Sequence, residues 1–284
     1  MAAVLGGLGA AVCWAIATIC GSRSSRIAGS AAALGWIALL GLLAALPIFA
    51  FNTRGIHLTA STLGWLLLTG TGNMVGLFFE YQGFRHGPVG VVASMASTEG
   101  AIAALISFMS GERPPLTLVL VLPVLLLGLV LVTLPSNVKG DRPTHWVPTI
   151  LFGAASGLTF GVGLYATGKV GGLLPAIWSV MPSRILGILV LTIPLGLAGK
   201  LRVPRATYPW TVAGGVAEVG GFLCFATGSR HGIALPAVLA SQFGVLATVG
   251  VAVLFRERIS RRQTIGAVLV ALGVAAVAAA RAVG

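Results

Sequence analysis

Four ionisable side chains stand inside long apolar runs: Glu80, Glu99, Arg184 and Glu218. A charged group at the centre of a bilayer costs about 2.5–3.5 kcal/mol on insertion scales, so such residues mark functional sites by default. Glu99 lies roughly 16 Å from the start of its run at 1.5 Å per residue, and Glu218 and Arg184 are also near the middles of theirs. All three should meet close to the midplane. Taking a carboxylate out of water penalises its charged form, so Glu99 or Glu218 could carry a proton between two states. The competing reading is a buried ion pair of either glutamate with Arg184. Unpaired, the guanidinium could instead grip a substrate carboxylate in two-pronged fashion. One cation among several acids suits a zwitterion, and a lipophilic cation ranks second because Arg184 would repel it.

Asn73 and Glu80 are seven residues apart and share a helical face, with Gly72 and Gly76 allowing close backbone approach. Glu80 is near Arg85 and could be neutralised by it. Gln242, with Ser97 at the equivalent place in the other half, extends the polar lining. Trp14 could form a wall or stack on substrate, and Phe160 and Tyr165 are weaker candidates of the same kind. The candidate proton-coupling residues are therefore Glu99 and Glu218, and the candidate substrate-binding residues are Asn73, Glu80, Arg184, Gln242 and Trp14. Gly153, Gly157 and Gly161, spaced by four, form a small-residue ridge for helix packing.

The elements that position these groups follow from composition. Of 284 residues, 57% are apolar, 8% are charged and 40 are glycine, and the mean hydropathy is +1.00. Soluble domains carry roughly 25% charge, so the chain reads as a polytopic membrane protein. Ten apolar runs emerge, at about 3–21, 31–51, 62–84, 88–110, 116–134, 147–168, 173–198, 208–229, 233–255 and 263–282. They lack the period-two alternation of barrel strands, so they are helices. The first begins almost at Met1 without a basic leader and is read as a retained helix. Cys13, Cys20 and Cys224 all lie inside runs and read as small packing residues, which leaves no disulfide framework. Trp146 and Trp210 read as interfacial anchors.

The net charge of +12 sits in the loops, where it orients the protein and needs no nucleic acid. Twelve of the 18 Lys and Arg fall on the odd-numbered loops, which the positive-inside rule places in the cytoplasm, with both termini outside.

Gly83-Phe84-Arg85-His86-Gly87 aligns with Gly228-Ser229-Arg230-His231-Gly232 at an offset of 145. The same offset places Glu112 on Glu257, Arg113 on Arg258, Gly128 on Gly273 and Asn73 on Glu218. The chain therefore reads as a duplication: residues 1–135, a loop at 136–146 and residues 147–284. Five helices per copy make the second copy inverted in topology, the architecture of many secondary transporters. The fold class is all-α, with ten transmembrane helices in two inverted five-helix repeats.

The run from Ala240 to Gly266, with Phe255-Arg256-Glu257-Arg258 at its centre, is followed by an apolar helix containing Gly273. It resembles the closing helix pair of an EamA-type repeat of the drug/metabolite transporter superfamily. Ser110-Gly111-Glu112-Arg113-Pro114 is the weaker counterpart in the first half. The resemblance implies a transporter, often an exporter of amino acids, other metabolites or drugs. It also implies a cavity between the halves, with the fifth and tenth helices as scaffold and both termini inside, against the charge count. The Glu-Arg pairs are read mainly as loop anchors and lip salt bridges, with gating as the alternative.

No His-Glu-x-x-His, Gly-x-Ser-x-Gly or Walker A pattern is present, so an enzyme or ATP-driven pump is not expected. A channel or a non-transporting scaffold would not explain acids at midplane depth. The expectation is a proton-coupled exporter of the plasma membrane that works by alternating access and handles small zwitterionic or anionic metabolites such as amino acids. A multidrug or lipophilic-cation exporter is the alternative. Its partners would be substrate, protons and lipid, with no cofactor or metal, and a monomer suffices.

Overall fold

The computed structural model describes residues 1–53, 55–113, 116–133, 145–255 and 261–283. Residues 136–144 of the expected loop at 136–146 and the Glu257-Arg258 pair lie outside the described residues, and Trp146, at the end of that expected loop, opens a helix. The helices are α1 (Ala2–Ala28), α2 (Ser30–Ala50), α3 (Ala60–His86), α4 (Val89–Ala96), α5 (Glu99–Met109), α6 (Leu116–Thr133) and α7 (Trp146–Leu173). After them come α8 (Met181–Gly187), α9 (Ile193–Leu197), α10 (Tyr208–Gly228), α11 (Ala234–Ala240), α12 (Phe243–Phe255) and α13 (Arg261–Val283). Among the described residues, eight segments are long and apolar enough to cross a membrane, and shorter apolar stretches occupy Leu116–Gly128 and Thr264–Gly273.

The first helix runs to Ala28, seven residues beyond the expected end at 21. Arg23 and Arg26 therefore extend the helix and do not break it. Arg26 secures that end by donating from Nε to the Phe84 carbonyl and from Nη2 to the Gly87 carbonyl, both at 3.1 Å. Gly29 alone joins α1 to α2 with φ at +85°, a conformation that a residue with a Cβ adopts at a cost. The Thr59 hydroxyl caps α3 by accepting from the Thr62 amide at 3.2 Å.

Three expected continuous runs are interrupted. The fourth is broken between α4 and α5 at Ser97-Thr98, and the ninth between α11 and α12 at Ser241-Gln242. At the first break the Ser97 hydroxyl bonds the Ala93 carbonyl at 2.8 Å. At the second, Gln242 Nε2 bonds the Val238 carbonyl at 2.7 Å. These side chains compete with the regular backbone ladder. The seventh run opens as a 3-10 turn, Ala176–Ser179, and passes through a π-helical turn, Ile188–Thr192, between α8 and α9. Pro182 begins α8 and does not kink a helix interior, while Pro194, which has no N–H to return, follows the π turn.

The first helix of each half packs on the third helix of the other: α1 lies along α10, and α7 along α3. Glycine allows both approaches. A Cβ on Gly6 would fall 2.6 Å from the Gly228 Cα, and one on Gly72 would fall 2.6 Å from the Gly163 Cα. The glycine ridge of α7 receives the broken span: Gly153 meets Met95, Gly157 meets the Met95 carbonyl and Thr98, and Gly161 meets Ile102. The helices α6 and α13 pack chiefly on each other. At that seam a Cβ on Gly128 would come 2.8 Å from the Gly266 carbonyl, and one on Gly273 would come 2.6 Å from Leu125.

Glu112 ties the halves together across a long stretch of sequence. Its carboxylate accepts from the Ile233 amide at 2.9 and 3.0 Å and from the Ala234 amide at 3.2 Å. It also accepts from the Ser107 hydroxyl. It thus caps the start of α11 from another helix pair and bonds backbone N–H groups, where a lip salt bridge was expected. Hydrogen bonds to charged groups contribute about 1.5–3 kcal/mol, so Glu112→Ala should destabilise the protein by about 2–3 kcal/mol. Glu112→Gln, which keeps one acceptor, should cost less than half of that. Unfolding midpoints in detergent measure both, and an alanine variant as stable as wild type would remove the cap from the account.

Candidate functional site

A cavity lies between the halves. From α1 it receives Trp14 and Thr18, and from α3 it receives Asn73, Leu77, Glu80 and Tyr81. Glu99 enters from α5, Phe160 and Leu164 from α7, Glu218 and Phe222 from α10, and Phe243 from α12. Each half contributes its first and third helices, the same pairs that cross over in the packing.

The three carboxylates are almost fully buried: Glu80 is 2%, Glu218 4% and Glu99 5% exposed. Their partners differ. Glu80 Oε1 accepts from the Thr18 hydroxyl at 3.4 Å; it faces the cavity, while Arg85 is exposed, which corrects the expected neutralisation by that loop. Glu218 Oε2 is 3.4 Å from Arg184 Nη2, the ion pair found among the described residues. Glu99 begins α5 directly after the break, and its Oε1 has no hydrogen-bond partner among the described residues.

Arg184 is fully buried and lies behind Glu218, outside the cavity wall. The same Nη2 also lies 3.5 Å from Asn73 Oδ1, so the guanidinium bridges the two positions that the offset of 145 relates. The placement differs from the sequence expectation of an arginine open to a substrate carboxylate: it lies outside the cavity wall with Nη2 on Glu218 and Asn73, while its Nε and Nη1 have no hydrogen-bond partner among the described residues. Gln242 is also absent from the wall; its amide is turned back onto Val238 and Ser241. Tyr165 donates to the Ser110 hydroxyl at 2.8 Å, away from the cavity.

Trp14, Asn73, Glu80, Glu99 and Glu218 are thus brought together, and Arg184 supports them from behind. The sequence reading missed Thr18, Tyr81, Phe222 and Phe243. Trp14 packs edge-on against Phe222, with ring centroids at 5.5 Å, and against Phe243 at 6.5 Å. The wall is therefore a set of acids facing aromatic rings. Rings attract cations through their faces, and dry carboxylates require a proton or a positive partner.

The comparisons agree with this architecture. Residues 1–134 match the EamA-like transporter family. A solved crystal structure shares the fold, with a TM-score of 0.70 over 97% of this chain and 96% of that one at 21% identity. It is one of 29 solved chains that match. No curated protein matches the sequence. Over its first 134 residues this multi-pass membrane protein is thus similar to the EamA-like transporter family, consistent with a member of the drug/metabolite transporter superfamily.

Proposed function

We propose that the chain is a secondary active transporter that carries a compact organic cation through the central cavity in exchange for protons. One observation carries this reading: three carboxylates and several aromatic rings face one cavity, while the buried guanidinium beside it is already paired with Glu218. The arrangement moves the preference from a zwitterionic or anionic metabolite, such as an amino acid, to the cationic alternative. Arg184 does not line the cavity, so a substrate carboxylate there meets acids before it meets the guanidinium, whereas an ammonium group meets Glu80 and Glu99 directly.

Glu99 is the proton carrier in this reading, Glu80 assists, and Glu218 is paired with Arg184. Either a proton or the substrate cation neutralises the free acids, so the two compete and their movements are coupled. The exchange between halves, α1 on α10 and α7 on α3, supports two inverted repeats that rock about the site. Location in the plasma membrane, with efflux as the direction of transport, completes the proposal.

The test is uptake into proteoliposomes that are acidic inside, with labelled benzyltrimethylammonium and phenylalanine as probes. The permanent cation cannot accumulate by losing a proton, so its uptake reports exchange alone. Benzyltrimethylammonium should enter in proportion to the pH gradient, at a rate at least about tenfold above phenylalanine. Gradient-driven movement of phenylalanine alone would restore the amino-acid reading, and movement of neither would overturn the transport reading for both classes.

A further inference from the structure

We propose that Gly76 and Gly221 are positioning residues that set the upper size of the substrate, by seating two aromatic rings of the cavity wall, Phe160 and Trp14. The proposal rests on the transport reading above and adds the determinant of size. Gly76 and Gly221 stand 145 residues apart, the offset that relates the two halves. Each lies on the third helix of its half, α3 or α10, and faces a ring from the first helix of the other half.

The contacts are equivalent in kind. A Cβ on Gly76 would overlap the Phe160 ring and come 2.8 Å from its Cγ. A Cβ on Gly221 would overlap the Trp14 indole and come 2.9 Å from its Cε2. Real side chains do not approach so closely, so each ring occupies the volume that a side chain at the glycine would need. Phe160 and Trp14 both line the cavity, while the two glycines against which they pack do not. Trp14 is also blocked on its other sides by Phe222, Phe225 and Phe243. A methyl group at either glycine therefore drives the ring in front of it into the cavity. The equivalent of Trp14 in the second half is Thr159, next to Phe160. The two halves thus reach the same device, a ring on a glycine seat, from adjacent positions.

The experiment compares benzyltrimethylammonium with the bulkier 1-naphthylmethyl-trimethylammonium in wild type, Gly76→Ala and Gly221→Ala. Each alanine variant should lower the naphthyl-to-benzyl transport ratio by at least about tenfold, the scale at which a close-fitting pocket discriminates volume. Phe160→Leu added to Gly76→Ala should restore the ratio. An equal fall for both cations in a folded variant would make the glycines packing residues only and overturn the proposal. Unfolding midpoints provide a second readout that needs no transport. Gly76→Ala should lower the midpoint in wild type and lower it far less beside Phe160→Leu, a coupling that independent sites do not show. If wild type moves neither cation, the transport reading fails by itself. Additive midpoints would then overturn the seat as well, and coupled midpoints would leave the ring-on-glycine contact standing without its size-selecting role.

Discussion

Glu99→Gln is expected to abolish uptake driven by a pH gradient while leaving exchange of cation for cation across the membrane measurable. The three acids of the cavity have different surroundings, and that difference decides the outcome. Glu218 has a guanidinium at 3.4 Å, so its charge is balanced whether or not substrate is present. Glu80 has a hydroxyl at the same distance, which helps the charged form without neutralising it. Glu99 has one oxygen without a donor among the described residues, and a bare buried charge is the costliest state of the three. In the proposed exchange it takes a proton when the cavity is empty of cations and releases it when an ammonium group arrives. Glutamine has nearly the same shape but cannot exchange a proton, so coupling is lost while the aromatic walls still receive the substrate.

The measurement pairs labelled benzyltrimethylammonium with a trapped pH indicator, in vesicles with and without the gradient. With acid inside, outward proton flow should drive cation uptake in wild type and nothing above the no-gradient level in Glu99→Gln. Coupling that survived Glu99→Gln and vanished in Glu80→Gln would transfer the proton to Glu80. Survival in both single variants and in the double would mean that no acid outside the ion pair carries it.

Several parts of this site were legible before any coordinates. Glu99 and Glu218 stood out because charge inside an apolar run is expensive, and Asn73 stood out because the repeat places it at the depth of Glu218. The ridge of Gly153, Gly157 and Gly161 was read from its spacing, and it receives α4 and α5. Other parts depend on how helices are rotated about their axes, which apolar periodicity cannot give when every face of a span is apolar. Arg184 could have faced the cavity, Glu99 or Glu218, and only packing turned it to Glu218. Phe222 and Phe243 are ordinary residues of an apolar run until they meet Trp14. The break before Glu99 left a faint local signal in Ser97-Thr98, whose hydroxyls compete for backbone carbonyls. Glu112 was read as a lip residue because its backbone partners lie 121 and 122 positions away.

Arg184→Met should be the most destabilising single change in the cavity region, at about 3–5 kcal/mol, because it leaves Glu218 as a buried charge without its partner. Replacing both members, as Arg184→Met with Glu218→Leu, should recover most of the loss, since a buried pair exchanged for apolar groups of similar volume is often close to neutral. The single variant should also acquire a pH dependence. Protonation removes the stranded charge, so its deficit shrinks as pH falls and grows as pH rises. The double variant, with no carboxylate at that position, should show no such trend. Unfolding midpoints in detergent from acid to alkaline pH measure all of this on one protein preparation. A single variant as stable as wild type at alkaline pH would mean that Arg184 does not neutralise Glu218. The transport readout separates the two roles further. If Glu99 alone exchanges protons, the double variant keeps its response to the pH gradient although its affinity for the cation falls. Loss of that response, in a double variant that folds, would instead place the Arg184–Glu218 pair inside the proton cycle.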